Sequence, residues 1–147
     1  MLPWPAANSE PAKCFRAING HSRFGSAAPR GRPGYRRLGW EPDVAVLRPR
    51  ADDYTTATAR PPDVLLLIEV ADTSLDDDRA IKLPLYAENG IAECWIVNLI
   101  ERVVEVCRQP RNDRFAEIRR VGPGEVLDVA LVPGVALPFV ELFPPIA

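Results

Sequence analysis

From Trp40 onward the apolar residues fall into short, β-branched blocks divided by proline and glycine, a pattern that predicts strands. EPDVAVLRP sets Val44–Leu47 between two prolines and reads as the first. A polar connection, RADDYTTATARPP, leads to DVLLLIEVAD, which holds the longest unbroken apolar run, Val64–Ile68. A strand apolar on both faces is expected to be central and covered on both sides. AECWIVNL predicts a second buried strand. In RVVEVCRQ, Val104 and Val106 share one face and Glu105 takes the other; FAEIRRV is its expected hairpin partner, with PRND as the turn. Short turns, a strand-like VALPF and a last helical turn at FVELF close the chain.

Between the two buried strands the period changes. SLDDDRAIKLPLYAENG predicts a helix with an apolar stripe of Leu75, Ile81, Leu83 and Leu85. Ser74 or Asp76 can cap it, the acidic first turn suits the positive end of the helix dipole, and Asn89-Gly90 ends it. Pro84 falls inside the helix, where a proline removes one backbone bond and introduces a kink. The order strand, strand, helix, strand, strand, strand predicts an α/β or α+β domain built on a central mixed sheet flanked by helices.

Residues 1–38 carry neither period. They are rich in Pro, Gly, Ala, Ser and Arg and are expected to form a poorly ordered leader, with a short helix around Lys13–Ile18 as its one candidate element. The ordered domain is then 39–147. Charge divides the same way. Residues 1–40 hold seven of the chain's 18 basic side chains and one of its 20 acidic ones, a net of +6, which leaves −8 on the remainder. Such a leader is either a basic arm for nucleic acid or a solvated segment with no partner.

A chain of 147 residues with 47% hydrophobic content suits one domain with a real core. The five-residue apolar run is far too short to span a bilayer, and Met1–Ser9 lacks the basic start and apolar stretch of a secretory signal. A cytoplasmic protein with no membrane partner is expected. Cys14, Cys94 and Cys107 form no C-x-x-C motif, and Cys94 and Cys107 read as small core residues. His21 is the only histidine, which rules out a multi-histidine metal site.

Three residues then stand out. Asp43 precedes the first strand, Glu69 lies near the exit of the central strand, and Lys82 lies on the helix. A carboxylate after Leu65-Leu66-Leu67-Ile68 is costly if buried without a partner. If the two strands are neighbours, Asp43 and Glu69 project at one end of the sheet, where they could share a divalent cation, with Lys82 beside a phosphate or a water. Each also has a plainer reading. Glu69 could sit at a solvated edge, Asp43 could cap a turn, and Lys82 could pair on the surface with Asp78, four residues earlier.

The run EPDVAV, then LLLIEVADTS, then DRAIKLPLYAENGIAECWIVNLIERVVEVCR, resembles the Uma-type family of restriction endonucleases, within the PD-(D/E)XK nuclease superfamily. The resemblance covers roughly residues 40–145. It implies a restriction endonuclease-like core whose N-terminal elements are missing or replaced here. It implies hydrolysis of DNA phosphodiester bonds with Mg²⁺ or Mn²⁺, and a homodimer as a plausible assembly. Carried over by residue, Asp43 and Glu69 match the two metal-binding carboxylates, the Val70 backbone carbonyl could complete the metal shell, and Asp78 supports Lys82. The superfamily's usual lysine two residues after the acidic ligand is Ala71 here, and Lys82 matches its migrated position. The alternative is a catalytically inactive, truncated remnant that serves as an interaction or nucleic-acid-binding module.

Overall fold

The computed structural model describes residues 42–57 and 59–146, together with the backbone of 16–19. One six-stranded sheet runs in the order β1 (Arg16–Asn19), β2 (Val44–Leu47), β3 (Val64–Ala71), β4 (Glu93–Asn98), β5 (Val103–Arg111) and β6 (Arg114–Val121). β3 and β4 are parallel and every other neighbouring pair is antiparallel, so the sheet is mixed as expected. The parallel pair needs a crossover, and the helical segment between β3 and β4 supplies it. A separate ribbon pairs β7 (Val126–Asp128) with β8 (Ala136–Pro138).

β1 lies inside the leader, and Arg16–Asn19 pair as an edge strand where a short helix around Lys13–Ile18 was expected. Each of its four residues has a partner on β2, so β2 is an interior strand of the sheet. The rest of the leader, including Cys14 and His21, lies outside the described residues.

The crossover is not one regular helix. α1 (Leu75–Asp77) passes into a π turn over Asp78–Lys82 and then α2 (Leu83–Glu88). The Leu83 N–H reaches the Asp78 carbonyl, five residues back, and Pro84 then falls in the first turn of α2. A proline costs little there, because first-turn N–H groups need no intrahelical partner. The extra residue of the π turn rotates what precedes it. Ile81, expected on the buried stripe, is 56% exposed, while Leu83, Tyr86 and Ala87 are buried. Ser74 sits at the N-cap without capping through its side chain. Gly90, with φ of +73°, closes the C-terminus as the Ile91 N–H returns to the Tyr86 carbonyl.

Alternation along the strands splits the core into two layers. Under the crossover lie Ala45, Leu67, Ala71, Leu83, Tyr86, Ile91, Cys94, Ile96 and Cys107. On the opposite face Leu66, Trp95, Val97, Val104 and Val106 pack under Leu127 of the ribbon and under Phe139 and Phe143 at the terminal helix α3 (Phe139–Leu142). Both strands expected to be buried on two faces are. Cys94 and Cys107 are free and buried, as their packing role requires. The β5–β6 turn is tighter than PRND: Pro110 and Arg111 stay in the strand, and Asn112-Asp113 turn the chain. Asn112 has φ of +54°, which asparagine tolerates better than most residues.

Candidate active site

β3 presents Leu67, Glu69 and Ala71 to the crossover, so the carboxylate of Glu69 points into the layer under the helix and is 1% exposed. Burial there demands compensation, and two donors provide it. Lys82 Nζ lies 2.9 Å from Oε2, and the Tyr86 hydroxyl donates to Oε1. Lys82 Nζ is also 3.0 Å from Asp78 Oδ1, while Asp78 Oδ2 accepts from Ser74 Oγ at 3.0 Å. Asp78, Lys82 and Tyr86 recur every four residues and form one stripe facing β3. The acidic residue expected only to support Lys82 does so from a buried position.

Asp43 reaches the same end of the sheet from β2. The last rung of that pairing is Val44 with Ile68, so Asp43, one residue beyond, stands across from Glu69. Its Oδ2 accepts the Val70 N–H at 2.7 Å. The N–H and C=O of one strand residue point to the same side. The Val70 carbonyl therefore also faces the gap left where β2 stops. The next carbonyl, of Ala71, turns to the other side and accepts from Leu99 N at 2.9 Å. Ala71 itself is packed in the core, and the ammonium group comes from the crossover instead.

The electrostatics follow from this placement. Burial pushes the Glu69 pKa up and the Asp43 charge adds to it; the Tyr86 and Lys82 hydrogen bonds oppose without cancelling, so the carboxyl ends above its ordinary value. Burial works against the Lys82 charge, but Glu69 and Asp78 outweigh it and the lysine pKa ends raised. Burial and then the Glu69 charge push the Tyr86 phenol far up, so it stays a protonated donor.

The donors available to a cation are two carboxylates and a backbone carbonyl, all hard oxygens. Among the described residues no group of three or more His, Cys, Asp or Glu gathers. Such a set suits Mg²⁺ or Mn²⁺, which keep several waters and accept few protein ligands, better than Zn²⁺. Each oxygen of Glu69 uses one of its two lone pairs on a protein donor, which leaves the other available.

Several polar residues around this face went unnoticed in the pattern. Tyr86 was assigned no role in the sequence, although its four-residue step from Lys82 was visible. Glu105 read as an outward residue; it is buried and bonded by Arg79, whose Nε lies 3.1 Å from Oε2. Asn98 closes β4, its Oδ1 accepting the Ile100 and Glu101 amides at 3.1 and 3.0 Å. On the opposite face buried Glu93 gathers Trp95 Nε1 at 2.7 Å, Arg108 at 3.0 Å and the Ala130 amide at 2.7 Å.

Comparison with known proteins agrees with this architecture. A crystal structure of a "putative nuclease" from Anabaena variabilis superimposes with a TM-score of 0.63 at 18% sequence identity, covering 90% of this chain and 70% of that one, a likeness of fold. Among curated proteins no sequence matches. Among the described residues no helix is long and apolar enough to cross a membrane. The Uma2 family, described as "Putative restriction endonuclease", matches residues 12–140, and the chain belongs to it.

Proposed function

We propose that this chain is a divalent-metal-dependent endonuclease that hydrolyses DNA phosphodiester bonds in the cytoplasm. One observation carries the reading: Asp43 and Glu69, from neighbouring strands, stand opposite each other at one end of the sheet, with Lys82 Nζ 2.9 Å from Glu69. Asp43, Glu69 and the Val70 carbonyl would hold Mg²⁺ or Mn²⁺. Bound there, the ion would supply positive charge against the phosphate oxygens and would make a bound water more acidic than bulk water. Lys82 donates one N–H to Glu69 and lies 3.0 Å from Asp78, which leaves an N–H for a phosphate oxygen or the attacking water. In hydrolysis the attacking water gives up a proton to solvent as its oxygen bonds to phosphorus, one ester P–O bond breaks, and the leaving alkoxide takes a proton from solvent.

The test is plasmid cleavage by the purified chain with Mg²⁺, with Mn²⁺ and with EDTA. Asp43→Ala, Glu69→Ala and Lys82→Ala should each lose activity by about 100-fold or more while keeping a native circular dichroism spectrum. Cleavage that persists in all three variants would sink the assignment. One observation favours the competing reading of an inactive remnant: both oxygens of Glu69 are already engaged by Lys82 and Tyr86. That reading predicts no cleavage and no specific Mn²⁺ binding.

A further inference from the structure

Resting on the same reading, we infer that Tyr86 is the positioning residue that fixes the Glu69 carboxylate for metal binding. The hydroxyl donates to Oε1, on the oxygen opposite the one Lys82 holds. A carboxylate held by one donor can still turn about its last side-chain bond. With a donor on each oxygen the plane is set, and the lone pairs that remain have fixed directions. The phenol is itself immobile: Tyr86 is 1% exposed, in the layer that holds Leu67, Ile91 and Cys94. It is also neutral. A second ammonium group in its place would cancel the negative charge that a divalent cation needs, whereas a phenol satisfies the buried oxygen and leaves the charge. The four-residue steps from Asp78 to Lys82 to Tyr86 bring both donors from a single face of the crossover. The strand therefore supplies the ligand and the helix supplies its orientation.

Outer hydrogen-bond partners of metal ligands are typically worth about 10- to 100-fold in metal affinity. The test is calorimetric titration of the intact chain with Mn²⁺, comparing wild type with Tyr86→Phe, which keeps the ring and removes the donor. Binding should weaken by about 10-fold or more. The rise in melting temperature on adding Mn²⁺ should shrink in parallel, whatever the metal-free melting temperature becomes. A variant that melts earlier yet binds Mn²⁺ as wild type does would overturn the inference and make Tyr86 a packing residue only. Should the phenylalanine chain not fold, Tyr86→Met, a donor-free variant of different shape, replaces it with the same two outcomes. No specific Mn²⁺ binding by wild type would instead overturn the metal-dependent reading itself.

Discussion

Lys82 Nζ stands between two buried carboxylates, 2.9 Å from Glu69 and 3.0 Å from Asp78, and so ties the crossover to the central strand. Removing it leaves the Glu69 carboxylate with the Tyr86 hydroxyl and the Asp78 carboxylate with the Ser74 hydroxyl. Breaking a fully buried pair costs about 3–5 kcal/mol; with Lys82 37% exposed to solvent, a loss of about 1–3 kcal/mol is expected for Lys82→Met. Urea unfolding measures it, and a loss below about 0.5 kcal/mol, the size of an exposed pair, would contradict the linkage.

Glu69 sets a pH dependence whose sign follows from its raised pKa. The folded chain holds this proton more tightly than the unfolded chain. The contribution to stability is therefore most favourable below the unfolded carboxyl value, and it is lost as pH rises through the folded pKa. Lys82 is raised too, so its contribution is present below the ordinary lysine value and is lost as pH climbs through its folded pKa. Relative to Glu69→Gln, the wild type should lose stability from about pH 4.5 upward in denaturant titrations. A difference that is flat across that range, or of opposite sign, would contradict the account.

Burial drives the Cys107 thiol up to about 12 and raises Cys94 well above its ordinary value. Thiolate is the reactive form. With labelling mapped to individual residues, neither cysteine should react with iodoacetamide at pH 8 until the chain unfolds. Fast native-state labelling at either would show that the layer under the crossover is open.

The opposite face has its own buried carboxylate. Glu93 accepts from Trp95, Arg108 and Ala130, and so fastens the segment after β7 to the sheet. Glu93→Ala leaves a buried indole N–H, an amide and a guanidinium without that acceptor, at a cost of about 3 kcal/mol or more. Denaturant unfolding should show it, with proteolysis beginning in residues 128–135; a change under 1 kcal/mol would make the cluster incidental.

Pro84 is neutral where it stands. A proline in a helix interior costs about 3 kcal/mol, but the π turn puts this one in the first turn of α2. Pro84→Ala should change stability by less than about 1 kcal/mol. A gain near 3 kcal/mol would mean that the proline strains the helix after all.

The strands were legible because their apolar runs are short and bounded by proline, glycine or polar residues, and β2, β3 and β4 follow those runs closely. Cost singled out Glu69, a carboxylate after the five aliphatic residues Val64–Ile68, but a solvated edge stayed open until the crossover was seen to cover it. Ile81 misled because period 3.6 assumes an unbroken helix, and the π turn shifts the phase by one residue. The buried roles of Glu93 and Glu105 were not legible, because a polar residue in a strand normally marks a solvated face, whereas this sheet is covered on both sides. Asp78 was legible as the partner of Lys82 by its four-residue spacing, but its burial was not, because Asp76 and Asp77 beside it mark a solvated helix start. Tyr86 hid because a buried tyrosine and a functional hydroxyl look the same in a sequence.

The central claim is that Asp43 and Glu69 form one divalent-cation site. Calorimetric titration of the intact chain with Mn²⁺, set beside Asp43→Asn and Glu69→Gln, tests it most directly. The account predicts one specific site in the wild type, abolished or weakened by about 100-fold in each variant. Binding that is absent from wild type, or unchanged in both variants, would contradict it.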